Sequence, residues 1–284
     1  MKKSLLTIFG IVLISTLIFY GCKKEDKEEV DYDTQSSVDN AQVENILNEM
    51  NEIADQAVED GLLSTHRWGS GNNNLLSSCG SITVTVDSTD SSGTATINFG
   101  NHFCQGIDTK YRKGLITVSF TGPYREAGTV ITIAATNYFV GYDSAYATKV
   151  NGQRTVTNNG TNGNGNLSFS IQANATLANY LNEQMTWSST RTREWIAGAS
   201  TSAWNDDEYL VTGNASGKSF AGVNYSASIL EALHIKLNCR WITEGIFSLT
   251  PENKEPRTLD YGDGTCDNDA TVTIKDKTYN ITLR

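Results

Sequence analysis

The chain has 284 residues, with 22 lysines and arginines against 32 aspartates and glutamates, so its formal net charge is −10. An acidic chain without a Lys/Arg cluster argues against a nucleic-acid-binding protein, because neutralisation of phosphates dominates that affinity. The length suits one β-rich domain or two small domains, and a content of three prolines excludes a Pro-rich stalk.

The first 21 residues have the features of an export signal. A short basic segment, Met1 to Lys3, precedes an uncharged apolar run over 5–20 and then Gly21-Cys22. This run is shorter than the roughly 20 residues that span a bilayer, which favours a signal peptide over a helical anchor. Gly21-Cys22 resembles the lipobox of bacterial lipoproteins. The resemblance implies that Cys22 carries a thioether-linked diacylglyceryl group, becomes the acylated mature N-terminus and holds chains such as palmitate. A plain signal peptide with an incidental cysteine is the alternative.

The segment after the lipobox is charged and almost without apolar residues, so we expect a flexible tether over 22–37. Its start, 23–27, reads Lys-Lys-Glu-Asp-Lys and resembles the export signal of surface-exposed lipoproteins in Bacteroidota. That resemblance predicts a protein of the outer membrane, bound to the membrane through its N-terminal lipid and exposed at the cell surface. A periplasm-facing orientation is the alternative. Two or more acyl chains hold such a protein stably, whereas a single chain is marginal.

An amphipathic helix is predicted over 38–62. Ser36 and Asp39 are spaced like a capping box at its start, and Gly61 is a natural stop. Apolar residues then recur with the helical period. They are Val43, Ile46, Leu47, Met50, Ile53, Ala54, Ala57 and Val58. Such a stripe must be covered, and we expect it to pack on the sheet that follows, with a coiled-coil partner as the alternative.

From residue 79 to 284 the apolar period changes to two. Apolar residues alternate with polar ones over 81–86, 94–99 and 116–120, and again near the C-terminus. One-sided strands without crossover helices predict a mainly β fold, an antiparallel meander that forms a curved sheet, a sandwich or a partly closed barrel. The pattern fits roughly ten to thirteen strands. Asn151-Gly152 predicts a hairpin turn, because both turn positions need a positive φ.

Four cysteines besides Cys22 predict two disulfides. Residues 79–83 and 97–104 resemble 239–243 and 259–266, which indicates two copies of one hairpin-like unit that bracket the domain. From this repeat we expect the pairs Cys79–Cys104 and Cys239–Cys266, formed in an oxidising compartment. A zinc site is the competing interpretation. It is disfavoured because no two of these cysteines have the spacing of about two to four residues that structural zinc usually requires.

The C-terminal run also carries a family resemblance. Thr258 to Ile274 contains Leu-Asp-Tyr-Gly-Asp-Gly-Thr-Cys-Asp-Asn, and with Cys239-Arg240-Trp241 and the lipobox it resembles a family of uncharacterised Bacteroidota surface lipoproteins. The similarity extends over most of the mature domain. It implies a location rather than a chemistry, because that family carries no established activity.

Two groups of side chains are candidate ligand sites. The acids of the C-terminal run offer oxygens to calcium, although their spacing is not that of an EF-hand loop and turn formation is the alternative. They are Asp260, Asp263, Asp267 and Asp269. The richest aromatic–cation stretch would stack on sugar rings or organic cations if exposed, and would be sheet core if buried. It comprises Trp187, Arg191, Arg193, Trp195, Trp204 and Tyr209.

No catalytic residue and no cofactor is predicted. The sequence contains no Gly-x-Ser-x-Gly elbow, no His-Glu-x-x-His motif and no phosphate-binding glycine loop. We therefore expect a lipid-anchored surface protein that binds a glycan, protein or peptide, or has a structural role. Two alternatives stay open: an envelope carrier with an apolar cavity beneath residues 43–58, and a hydrolase with dispersed carboxylates. The sequence specifies no oligomeric state.

Overall fold

In the described part of the chain, one helix is followed by fourteen strands. The computed structural model describes residues 31, 33–62, 80–106, 108–201, 203 and 205–283, and Tyr32–Arg284 form one compact unit. The helix α1 spans Gln35–Leu62. The strands are β1 Ser81–Val86, β2 Gly93–Asn98, β3 Cys104–Gln105, β4 Tyr111–Phe120, β5 Val130–Gly141, β6 Thr148–Thr161, β7 Leu167–Ala178, β8 Gln184–Ala197, β9 Glu208–Lys218, β10 Asn224–Lys236, β11 Ile242–Pro251, β12 Arg257–Asp263, β13 Asp269–Ile274 and β14 Lys277–Thr282.

All the strands belong to one antiparallel sheet. Each strand pairs with its neighbours in the chain, except that β2 pairs with β4 while the two-residue β3 adds to β4. Among the described strands, β1 and β14 each have one partner, so the sheet is open. The mainly β antiparallel meander is confirmed. The sandwich is wrong, because a sandwich needs two packed sheets, and the strand number exceeds the prediction by one.

The helix lies on the inner face of the sheet, as predicted. It contacts strands from both halves of the sheet, namely β1, β2, β4, β5 and β11, and its side chains also hydrogen-bond to β6 and β8. The sheet therefore curves around the helix. Leu47, Met50 and Ile53 are at most 2% exposed in this position, and burial of each such side chain stabilises the fold by roughly 1.5–3 kcal/mol.

The helix begins earlier than the sequence pattern predicts. Its first residue is Gln35 rather than Val38, so 35–37 belong to the fold and not to the tether. Asp33 caps this end, because its Oδ1 accepts a hydrogen bond of 3.0 Å from the backbone N–H of Gln35. Ser36 and Ser37 are buried. The predicted capping box, Ser36 and Asp39, therefore lies within the helix and not at its start.

Asn151-Gly152 is not a hairpin turn, so that prediction is wrong. Both residues lie within β6. Asn151 Oδ1 accepts a hydrogen bond of 2.9 Å from the backbone N–H of Asn137, where the pairing of β5 with β6 shifts and Asn137 has a φ of 48°. A Cβ on Gly152 would lie 2.4 Å from the carbonyl oxygen of Asn174. The Asn-Gly pair therefore accommodates a β-bulge and a close approach of neighbouring strands.

Candidate functional site

A buried ionic cluster joins the helix to β4. Glu49 Oε1 accepts hydrogen bonds from Arg112 Nε at 2.9 Å and Nη2 at 2.5 Å, and Lys110 donates to the other carboxylate oxygen. Arg112 also donates to Asp108 at 2.9 Å. Burial alone would raise the pKa of Glu49, but Arg112 and Lys110 outweigh it and lower that pKa to about 2. Glu49 is therefore a permanent anion at neutral pH and unsuited to act as a general acid.

A second buried ion pair joins the helix to β8. Glu44 accepts hydrogen bonds from Arg191 Nε at 3.1 Å and from Arg191 Nη2 at 2.6 Å, and both side chains are 4% exposed. Tyr225 and Tyr261 lie close to this pair. Burial raises the pKa of both phenols. The charge of Asp39 and then that of Glu44 add to the rise at Tyr225, and the charge of Glu44 adds to it at Tyr261. The two polar faces of the helix that carry Glu44 and Glu49 are thus enclosed by the sheet.

The aromatic–cation stretch is core and not an exposed patch. Trp187, Trp195 and Tyr209 are at most 3% exposed, and Arg191 and Arg193 are at most 5% exposed. The exposed surface patch expected of a glycan-binding module at these residues is therefore wrong, and the interpretation as sheet core holds. Trp204 lies outside the described residues.

Within this stretch the protein's own cations occupy the ring faces. The guanidinium carbon of Arg193 lies 4.5 Å from the ring centre of Tyr209 and 5.1 Å from that of Phe169, and Arg193 donates a hydrogen bond to the hydroxyl of Tyr124. Arg125 lies 4.6 Å from the ring centre of Trp195. These contacts are cation–π interactions. An external organic cation would have to displace an arginine that the fold has already placed there.

The burial of these arginines is predictable from the alternation of residues along β8. Trp187 and Trp195 are eight positions apart, an even number, so they face the same side of β8. Arg191 and Arg193 have the same parity, and the burial of β8 alternates accordingly. The partner of Arg191 is not predictable in this way, because Glu44 is 147 positions away in sequence.

The four C-terminal acids lie along a groove of about 620 Å³ on β12 to β14. They do not converge on one point, and no group of three or more His, Cys, Asp or Glu side chains in the described part of the chain is arranged to hold a metal ion. The calcium interpretation therefore has no support in the geometry. Three of the acids form turns instead, since their Oδ1 atoms accept backbone N–H groups two residues ahead. These bonds join Asp260 to Gly262, Asp263 to Thr265 and Asp267 to Asp269.

One predicted disulfide is confirmed. Cys239, after β10, is bonded to Cys266, between β12 and β13, with 5.7 Å between their Cα atoms. The bond links the β10–β11 connection to the β12–β13 connection. For the second pair, Cys79 lies outside the described residues, so Cys79–Cys104 stays a prediction. Cys22 and its lipidation also lie outside the described residues.

Further polar contacts join the helix to the sheet across the interior. Besides the two ionic clusters, Trp187 Nε1 donates to Asn40 Oδ1 at 2.9 Å, and Arg154 donates to the carbonyl oxygen of Leu47 at 2.9 Å. The carrier hypothesis needs an apolar cavity beneath 43–58, whereas three described residues of that segment, Glu44, Leu47 and Glu49, face polar or charged side chains of the sheet. The hydrolase hypothesis needs two available carboxylates, whereas those of Glu44 and Glu49 are bound by arginines.

Comparison with protein-family models, with curated proteins and with solved structures finds no match to this chain. Among the described residues, no helix is both long enough and apolar enough to cross a bilayer.

Proposed function

We propose that this protein is a lipid-anchored, non-catalytic surface module of the outer membrane, which presents the outside of its curved sheet to a glycan, protein or peptide. The observation that carries this proposal is the packing of α1. The helix occupies the inner face of the sheet, and its buried carboxylates, Glu44 and Glu49, are bound to arginines. Because these buried carboxylates are already engaged by the protein's own arginines, we place ligand contact on the exterior of the domain.

The joint between the tether and the domain supports the anchoring role. Asp33 forms an ion pair of 2.5 Å with Lys254, and its carbonyl oxygen accepts a hydrogen bond of 2.8 Å from Arg257 Nε. Asp33 also caps α1. Asp33 is therefore fixed both to the helix and to β12. The tether that precedes it joins the domain at a residue held by several contacts.

Intact mass spectrometry of membrane-extracted protein, with and without reduction, tests this proposal together with protease treatment of whole cells. We expect the mass of an acylated Cys22 N-terminus, two disulfides, and removal of the domain from intact cells. An unacylated chain would overturn the anchor, and a domain that resists protease on intact cells would overturn surface display. A Cys22→Ala variant is the matched control, which should lose the acyl mass.

A further inference from the structure

Exposed apolar side chains are concentrated at one place in the fold. Five large hydrophobic residues are exposed among the described residues, and four of them lie on two neighbouring connections. Tyr142 and Tyr146 lie between β5 and β6, and Tyr180 and Leu181 lie between β7 and β8. Tyr146, Tyr180 and Leu181 are 61%, 54% and 59% exposed. Apolar side chains grouped in this way on a polar surface mark an interaction site.

The two connections form one preformed surface, which we call the tyrosine tip and define as Tyr146, Tyr180 and Leu181. The rings of Tyr146 and Tyr180 meet edge to face, with 4.9 Å between their centres. The side chain of Asn179 holds the second connection, because its Oδ1 accepts hydrogen bonds from the backbone N–H groups of Leu181 and Glu183, each at 3.0 Å. The apolar side chains are therefore presented by a turn with internal hydrogen bonds.

The tyrosine tip lies at the end of the sheet where the chain from Cys22 joins the domain. In an antiparallel meander every second connection lies at the same end, so the connections after β5, β7, β9 and β11 share one end. Asp33 is bound by Lys254 of the last of these. Asp39 accepts a hydrogen bond of 3.1 Å from the backbone N–H of Phe220, in the connection after β9. Gln42 donates to Thr148, two residues after Tyr146, at 2.9 Å.

We propose that the tyrosine tip docks into the interfacial region of the membrane leaflet that holds the Cys22 lipid, and so sets the orientation of the domain. This inference rests on the proposed lipid anchor. The 11 residues from Cys22 to Asp33 span at most about 40 Å when fully extended, so the anchored end of the domain stays within that distance of the bilayer and can reach its surface. Tyrosine suits the interface, because its ring is apolar and its hydroxyl stays hydrated. A short tether raises the effective concentration to the millimolar range, so a weak contact suffices.

Hydroxyl-radical footprinting with mass spectrometry tests the docking. The wild-type lipoprotein is reconstituted into phosphatidylethanolamine–phosphatidylglycerol vesicles and compared with the full mature chain carrying Cys22→Ser, which cannot receive the lipid. On vesicles we expect the oxidation rates of Tyr146 and Tyr180 to fall about threefold or more, as for side chains buried in the headgroup region. Leu230 is the internal control. It is 60% exposed on β10, away from the tip, and its rate should not change.

Two variants make the test sharper. Combined Tyr146→Ser, Tyr180→Ser and Leu181→Ser substitutions change exposed side chains. On vesicles they should raise the oxidation of Phe220, which lies in the β9–β10 connection at the same end of the sheet, towards its rate in the unlipidated chain. Leu230→Ser, which removes an exposed side chain outside the tip, should leave the Phe220 rate as in wild type.

The failure of the anchor and the failure of the docking give different results. An extracted wild-type chain without acyl mass overturns the anchor whatever the footprint. An acylated chain whose Tyr146 and Tyr180 react equally on vesicles and in the Cys22→Ser form overturns the docking alone. Protection that needs no vesicle and increases with protein concentration identifies a second copy of the chain as the occupant, and this also overturns the membrane contact.

Discussion

Glu49 on the helix accepts two hydrogen bonds from the guanidinium of Arg112 on β4, and both side chains are almost inaccessible to solvent. The residues are 63 positions apart in sequence. Removal of one partner from such a buried pair costs about 3–5 kcal/mol, because the remaining charge stays buried without compensation. The position of the helix inside the sheet therefore depends on this contact.

Glu49→Gln should lower the free energy of unfolding by about 3–5 kcal/mol, since it leaves Arg112 and Lys110 without a buried anion. Urea unfolding monitored by circular dichroism at neutral pH measures the loss. Glu126→Gln is the control, because Glu126 is exposed and surface substitutions usually stay within about 0.5 kcal/mol. Equal stability of the two variants would show that the Glu49 cluster contributes little to the fold.

Glu49 also predicts a specific dependence of stability on pH. Its pKa falls from 4.5 to about 2 in the folded state, so the unfolded chain takes up the proton first on acidification. The contribution of Glu49 is complete above about pH 5 and disappears as the pH falls towards 2, a loss of about 3 kcal/mol. Unfolding measured from pH 7 down to pH 2 should show the stability difference between wild type and Glu49→Gln shrinking. A constant difference would contradict the lowered pKa.

The Glu44–Arg191 pair should show strong coupling in a double-mutant cycle. Glu44→Gln and Arg191→Met should each destabilise the protein by about 3–5 kcal/mol, whereas the double variant should lose less than the sum because no unpaired charge remains. Thermal and urea unfolding of the four proteins give the coupling energy. Additive losses would mean that the two side chains act independently in solution.

Loss of the Cys239–Cys266 disulfide should destabilise the domain. The closed loop spans 27 residues, which corresponds to about 3.5 kcal/mol in the loop-entropy treatment. A Cys239→Ala, Cys266→Ala variant should therefore unfold at a lower urea concentration than the oxidised wild type. An unchanged midpoint would show that the unfolded chain is not constrained by this bond.

Gly152→Ala and Gly163→Ala should differ sharply, although both glycines follow an asparagine. A Cβ at Gly152 would lie 2.4 Å from the carbonyl oxygen of Asn174, whereas a Cβ at Gly163 meets no atom within 4 Å. We expect the first substitution to cost about 1–3 kcal/mol through overpacking. The second should be neutral or stabilise by up to about 1 kcal/mol by restricting the unfolded chain. Thermal unfolding of both variants decides this, and equal midpoints would contradict the strand position of Gly152.

The two Asn-Gly dipeptides have the same local sequence but lie in different kinds of structure. Asn162-Gly163 lies in the β6–β7 connection, whereas Asn151-Gly152 lies inside β6. Both have the composition of a turn. What separates them is the bulge of β5 opposite Asn151, and that bulge belongs to a different strand. The turn propensity of a dipeptide carries no information about the adjacent strand, so it cannot predict a bulge in that strand.

The strands and the helix were predictable because their patterns are periodic. Ile97 on β2 and Val272 on β13 are fully buried, as strict alternation predicts. The burial of Glu44 was not predictable from periodicity. A charged residue off the apolar stripe of a helix is normally solvated, and Glu44 is buried because an arginine on β8 meets it. Once a sheet encloses a helix, the polar side of that helix requires partners as much as the apolar side does.

The order of the elements along the chain has a consequence for folding. The strands can assemble as successive hairpins, each pairing with a neighbour that has just been made. The helix is made before every strand that encloses it, and its contacts are remote, since Arg257 is 224 positions beyond Asp33. Contacts of such separation close late and slowly. A nascent chain that stops before β12 already has the arginines that pair with Glu44 and Glu49, but it lacks the Arg257 contact that fixes Asp33 at the start of the helix.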